Sequence, residues 1–234
     1  MKLLQEIKIA WKDDDLLAMV KPQGLATGLG REDNLCTRLF AAYPELETVK
    51  GFREGEGGLL HRLDNETGGL VLFACTDESF KYYSLQMKEN KVQKKYCAIC
   101  YGDNEKNCGQ MSIPIAHHET KKNRMIRADE GSYRGKPQEA MTEWKIKSRK
   151  KGFCLVEAAI TKGVRHQIRM HLSLLGLPIA GDRLYKNSAS SFLLDDPRFD
   201  MHALYCHELS LLLQDGSEKT ISTECPLYAL WDAV

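Results

Sequence analysis

The sequence predicts an α+β protein, built on a mixed, mostly antiparallel central sheet with flanking helices over part of it. Three observations carry that expectation. Short apolar or alternating runs of strand length recur along the chain, segments with apolar residues at helical spacing lie between them, and the two kinds follow one another without a strict strand-helix-strand rhythm.

In order, IKIAWKD and LLAMVKP read as two short strands, followed by the glycine-rich turn PQGLATGLG and a helix in NLCTRLFAAYPEL. GGLVLFACT is the next strand. DESFKYYSLQMKENK then places Phe80, Tyr83 and Met87 at helical spacing, facing the core, with Thr76 or Asp77 as the cap. KKYCAICYGD is a strand ending in a turn, and FCLVEAAIT alternates Cys154, Val156, Ala158 and Ile160 against Phe153, Leu155, Glu157 and Ala159. In VRHQIRMHLSLLGLP, Ile168, Leu172 and Leu175 form one apolar stripe, which predicts a short amphipathic helix from Val164 to Leu175 with Gly176 as its C-cap and Pro178 beyond. Arg165, His166 and Arg169 leave one flank of that helix, the two arginines one turn apart.

At 234 residues, with 43% hydrophobic and 28% charged residues, the chain is globular and long enough for one large domain or two halves sharing a cleft. No apolar run is long enough to span a bilayer, and MKLLQEIKIAWKDDD lacks a core of signal-peptide length, so the expectation is a cytoplasmic protein with no membrane partner. Several of the eight cysteines sit inside apolar runs, where a reduced thiol packs as a small hydrophobe. Cys97 and Cys100 form a C-x-x-C, but a strand sends positions three apart to opposite faces, so no metal site is expected. Neither G-x-G-x-x-G nor a P-loop is present, and no nucleotide cofactor is expected. The net charge of +1 hides an uneven distribution: KVQKK, KKNRMIR and KIKSRKK are basic, DDD and LLDDP acidic. Three basic blocks on one chain make a phosphate-facing surface plausible.

One stretch concentrates chemistry. GLLHRLDNETGGLVLFA sets His61, Arg62 and Asp64 between a glycine-leucine pair and an apolar run. Alone, it reads as a charged turn before a strand. Together with KGVRHQIRMHLSLLGLPIAGDRLY, however, it resembles the RluA family of pseudouridine synthases, whose landmarks are HRLD-x-x-T-x-G-L and a later H-Q-[IL]-R-x-H helix followed by G-[HL]-P-I-x-G-D-x-x-Y. AMVKPQGLATG is similar to that family's K-P-x-G-L turn, KKYCAICYG to its K-x-Y strand and MHALYCHELSL to its closing L-H-A strand, so the landmarks run in family order from Lys21 to Leu211. Two departures stand out. Thr67, Gly68 and Gly69 replace the common T-S-G, and Lys162 to His166 read K-G-V-R-H instead of T-G-R-T-H, with Val164 at an arginine position.

The resemblance implies the pseudouridine synthase fold with an RNA-binding cleft and a reaction that needs no cofactor. The N-terminus starts too close to the first core strand for the small RNA-binding domain that many relatives carry, so the expectation is a single catalytic domain over residues 1–234, acting as a monomer. It implies isomerisation of a uridine in ribosomal or transfer RNA, with Asp64 as nucleophile or as the base that removes a ribose proton. An ionised carboxylate in a pocket closed to water needs a fixed cation, which the resemblance assigns to Arg169. Tyr96 matches the family's active-site tyrosine, which stacks on the detached uracil. The target nucleotide must be flipped out of its helix or loop at a cost of about a few kcal/mol. The RNA-binding candidates are Arg62, for filling the vacated space or gripping the flipped backbone, His61, packing or hydrogen-bonding beneath the loop, and Arg165, His166, Lys94, Lys95, Arg124 and Arg127 for contacts to the RNA. Two other functions compete: a base-excising N-glycosidase, which would need Glu66 as a second carboxylate, and a non-catalytic RNA-binding module or chaperone.

Overall fold

The computed structural model describes residues 8–186 and 196–234. Ile7 of the first predicted strand and residues 193–195 of the acidic LLDDP block lie outside the described residues. The chain divides into two compact units, Met1–Lys94 with Cys206–Cys225, and Lys95–Tyr205 with Pro226–Val234.

The first unit is a sheet with two helices. Strands β1 (Lys8–Lys12) and β2 (Leu16–Lys21) form an antiparallel hairpin. Its turn is closed by Asp13, whose Oδ1 accepts the N–H groups of Asp15 at 2.9 Å and Leu16 at 2.7 Å, so the DDD run is a turn device as well as a charge. β3 (Gly68–Ala74) pairs antiparallel with β2, Leu16 opposite Ala74 and Lys21 opposite Gly69. On its far side lies β11 (Leu204–Leu212), which carries β12 (Glu218–Ser222) antiparallel. With neighbours on both edges and both faces covered, every residue of β3 is buried, which is why GGLVLFA is continuously apolar instead of alternating.

Helix α1 (Leu35–Ala42) starts at Asn34, where a reciprocal pair of side-chain bonds with Thr37 caps it, and a short 3-10 helix follows at Pro44–Thr48. Helix α2 (Asp77–Lys88) starts at Thr76 with the same device, closed by Ser79. Phe80 and Tyr83 face the core as expected, whereas Met87 is only half-buried. The third buried position of that face is polar: Gln86 donates its amide to Leu212 O at 2.8 Å and accepts Leu212 N–H at 3.1 Å.

In the second unit, β4 (Gln93–Tyr101), β10 (Phe153–Ile160), β9 (Met141–Lys150) and β5 (Cys108–Ser112) lie side by side in that order. A separate three-stranded sheet has β6 (Ile115–His118) between β7 (Met125–Arg127) and β8 (Tyr133–Gln138), both antiparallel to it. Part of the basic block KIKSRKK is therefore strand: along β9, Thr142, Trp144 and Ile146 are buried while Glu143, Lys145 and Lys147 are exposed. Helices α3 (Gln167–Leu174) and α4 (Pro226–Ala233) complete the unit.

The helix expected from Val164 begins three residues later. His166 has φ 57°, a left-handed conformation that no helix continues through, and it stands as the N-cap. Gln167 fixes the break, accepting Val164 N–H at 2.9 Å while donating to Met141 O at 2.7 Å. Arg165 is consequently outside the helix and exposed, while Arg169, inside it, is buried. The two arginines do not share a flank.

Candidate active site

In the first unit the HRLDNET loop is fastened to the KPQGLAT turn, residue against residue. Thr27 Oγ1 donates to Leu63 O at 2.8 Å and accepts Leu63 N–H at 3.2 Å. Gly24 N–H donates to Asn65 O at 2.8 Å, and the Gln23 amide to Glu66 O at 3.0 Å. Beneath them lies Lys21, fully buried, its ammonium donating to the carbonyls of Pro22, Leu25 and Asn65 at 3.1, 2.8 and 2.9 Å. Burial pulls this ammonium from an ordinary 10.5 down to about 7, against the opposing pull of the Asp64 carboxylate. Asp64 itself is half-buried, with its carbonyl accepting Thr67 N–H at 3.0 Å to close the turn. The candidate carboxylate thus rides on a loop whose neighbouring carbonyls are held from below.

The other charges of the motif have specific partners. His61 Nε2 accepts Leu72 N–H at 3.2 Å, and burial followed by the nearby Lys94 charge pulls its pKa down to about 3, which favours the neutral ring. Lys94 is itself buried and drawn down to about 8 by burial, which takes it off the surface where a phosphate contact was expected; Lys95 is the half-exposed member of the pair. Arg62 is ion-paired with Glu56, a carboxylate with 2% side-chain exposure whose other oxygen accepts Leu29 N–H at 3.0 Å. Glu56 was not a candidate from the sequence.

In the second unit Tyr96 is buried on β4. Arg169, on α3, donates Nε and Nη2 to Asp182 at 2.7 and 2.9 Å, and its guanidinium lies 5.3 Å from the centre of the Tyr185 ring. Asp182 is a carboxylate partner that the sequence reading did not name for this arginine. His166 is buried, with Nδ1 2.8 Å from the Tyr185 hydroxyl, so it is a packing group here and not a surface contact. His171 is bridged between Thr142 Oγ1 at 2.8 Å and Ile113 O at 3.1 Å, which anchors α3 to its neighbours.

The outlying cations divide. Arg127 is chelated by Asp129 at 2.9 and 2.6 Å and by Glu130 at 3.2 Å. Arg124 is half-buried, 6.0 Å from the Tyr185 ring centre, and Arg165 reaches the carbonyl of Lys122 at 3.4 Å. Cys97 and Cys100 are both buried on β4, and among the described residues no group of three His, Cys, Asp or Glu side chains is placed to hold a metal ion. No helix among them is long and apolar enough to cross a membrane.

Comparison with known proteins places this arrangement in context. The chain is 29% identical over 211 residues to an uncharacterized RNA pseudouridine synthase of Synechocystis, covering 88% of this chain and 61% of the relative. It is 35% identical over 226 residues to ribosomal large subunit pseudouridine synthase C of Rickettsia felis, covering 94% and 68%. The chain thus spans about 60% of the length of the Synechocystis relative. Its fold is similar to that of human RNA pseudouridylate synthase domain containing 1, with a TM-score of 0.78 at 22% identity over 98% of this chain and 87% of the other. The family model for RNA pseudouridylate synthase matches residues 15–174, a span that holds the KPQGLAT turn, the HRLD loop, Tyr96 and Arg169, and the chain accordingly belongs to the RNA pseudouridylate synthase family.

Proposed function

We propose that this chain converts uridine to pseudouridine in RNA, with Asp64 as the reacting carboxylate. The observation that carries the reading is the interlock of the HRLDNET loop with the KPQGLAT turn around buried Lys21, which fixes the backbone on both sides of a half-buried aspartate. Such a scaffold suits a carboxylate that must act at one atom of one nucleotide.

In the reaction the bond between uracil N1 and ribose C1′ breaks, the uracil turns, C5 bonds to C1′, the C5 proton is lost and N1 gains one. Asp64 acts as nucleophile at C1′ or as base toward a ribose proton, and the uracil is both leaving group and returning nucleophile. Nothing leaves, so the scheme calls for no cofactor. Tyr96 offers a ring to stack on uracil, Arg169 a cation for the developing charge, and Arg62 a side chain long enough to enter the space of a flipped nucleotide. RNA is the partner, a single copy of the chain the acting unit, and the cytoplasm its place. The relatives' names favour ribosomal over transfer RNA.

The test is direct. Purified protein incubated with ribosomal RNA transcripts is expected to produce pseudouridine at unchanged RNA mass, and Asp64→Asn to lower the rate by at least a thousandfold while RNA binding stays within a few-fold. An abasic site would instead support excision, and Asp64→Asn activity within tenfold of wild type would remove Asp64 from the chemistry.

A further inference from the structure

The G-D-x-x-Y landmark, Gly181 to Tyr185, has no assigned part in the reaction, yet the structure builds a socket from it around Arg169. Asp182 has a fully buried side chain and spends both oxygens. Oδ2 accepts Arg169 Nε at 2.7 Å, and Oδ1 accepts Arg169 Nη2 at 2.9 Å together with the N–H groups of Leu184 at 2.8 Å and Tyr185 at 3.1 Å. Burial alone would push this carboxyl up; the Arg169 bonds and charge, the Leu184 N–H and the His202 ring beside it outweigh that and hold it below its ordinary value. The fork geometry fixes the plane of the guanidinium as well as its charge, which a point contact would not do.

The rest of the motif supplies the walls. Gly181 has φ +77°, and a Cβ there would lie 2.5 Å from Met201 O, so only glycine brings the chain to Asp182 along this path. The two N–H bonds to Asp182 Oδ1 curl residues 182–185 so that the Tyr185 ring faces the guanidinium 5.3 Å away. The Tyr185 hydroxyl is anchored in turn, accepting Met125 N–H at 2.8 Å and lying 2.8 Å from His166 Nδ1, the residue that caps the helix carrying Arg169. Arg169 is therefore gripped along one edge and walled on one face by groups that are themselves fixed.

We propose that Asp182 is a positioning residue for pseudouridine formation, setting through its forked contact the orientation in which Arg169 acts, with Tyr185 as the lateral wall. The inference rests on the synthase reading above. A guanidinium that loses its fork keeps its charge but not its direction, so the loss falls on turnover and not on RNA capture.

The experiment compares Asp182→Asn with wild type in the full chain, with kcat and KM measured on ribosomal RNA transcripts and corrected for folded fraction. The expected result is a kcat at least tenfold lower with KM within threefold. In parallel, the arginine side-chain NMR spectrum, with Arg169→Lys identifying the signal, is expected to show a slowly exchanging Arg169 Nε–H in wild type that is lost in Asp182→Asn. A kcat within threefold of wild type, a KM rising as far as kcat falls, or an unchanged Arg169 signal would overturn the proposal. Should Asp182→Asn not fold, Asp182→Glu, which keeps the charge but displaces the carboxylate, is expected to show the same kcat loss, and wild-type kcat there would overturn it equally. If the wild-type protein forms no pseudouridine, the synthase reading fails, while the NMR signal still decides whether Asp182 orients Arg169.

Discussion

The ammonium of Lys21 donates to the carbonyl of Asn65 across 2.9 Å, tying the last residue of β2 to the residue after Asp64. The same group holds the carbonyls of Pro22 and Leu25, so one buried cation gathers three carbonyls, of which Asn65 O also accepts Gly24 N–H. Lys21→Met is expected to leave the Pro22 and Leu25 carbonyls without this donor, and Asn65 O with Gly24 N–H alone, at a cost of about 2–4 kcal/mol at pH 7, since each unpaired buried carbonyl costs about 1–3. Pseudouridine formation should fall with it, because the backbone beside Asp64 is released. Urea unfolding and a turnover assay on the same preparation check both.

The same lysine has a pH signature. Its folded value of about 7 lies below the 10.5 of an ordinary lysine, so between those limits the unfolded chain holds more protons and wild-type stability rises with pH. Lys94, drawn down to about 8, adds to the rise over a narrower window. The gain in stability from pH 7 to pH 9.5 is therefore expected to be larger in wild type than in Lys21→Met. Equal gains would mean that Lys21 is charged and solvated alike in both states.

Gly69 is expected to tolerate no side chain. Its φ is +112°, and a Cβ would lie 2.0 Å from Cys206 O on the neighbouring strand β11. Gly69→Ala combines backbone strain with a clash that only strand separation relieves, a loss on the order of 3 kcal/mol or more. Gly163→Ala, where a Cβ meets nothing within 4 Å and no positive φ is required, is the control. Thermal unfolding of the two variants should separate them clearly.

Local chemistry was legible in the sequence and long-range pairing was not. The caps at Thr76 and the apolar run of β3 are written in adjacent residues, so local pattern announces them, whereas the HRLD loop stands out only beside the later landmarks it accompanies, because what holds it is a turn about forty residues earlier. Glu56 and Asp182 look like ordinary surface acids, because what buries them is a partner six or thirteen residues away. The start of α3 differs from the expectation for a related reason: no glycine or proline interrupts Val164 to His166, but the Gln167 side chain reaches across to Met141 and holds the chain in a turn. Strand β8, exposed at all six positions, has no buried face to give it a pattern.

Glu56 and Arg62 should respond unequally to removal. Arg62→Met leaves an uncompensated carboxylate with 2% exposure, whereas Glu56→Gln leaves a neutral amide that still accepts Leu29 N–H. Arg62→Met is thus expected to be the more destabilising by about 1–2 kcal/mol, even though Arg62 is the more exposed partner. Denaturant midpoints rank them, and the reverse order would mean that Glu56 is held by groups other than this arginine.

RNA affinity should fall steeply with added salt although the net charge is only +1, because phosphate contacts are local. The cations do not contribute alike. Arg165 is exposed and, among the described residues, reaches the carbonyl of Lys122 at 3.4 Å, a contact it can exchange for a phosphate. Arg127 is already neutralised by Asp129 and Glu130, and a phosphate would have to displace both carboxylates. Arg165→Ala is therefore expected to reduce the slope of log affinity against log salt by about 0.7–0.9, the value of one released counterion, and Arg127→Ala to leave it nearly unchanged. Filter binding of a ribosomal RNA transcript between 50 and 200 mM salt, roughly the range over which several contacts change affinity a thousandfold, measures both slopes. An equal reduction in the two variants would mean that the Arg127 chelate opens on RNA, and an unchanged slope in Arg165→Ala would place the phosphate track away from the start of α3.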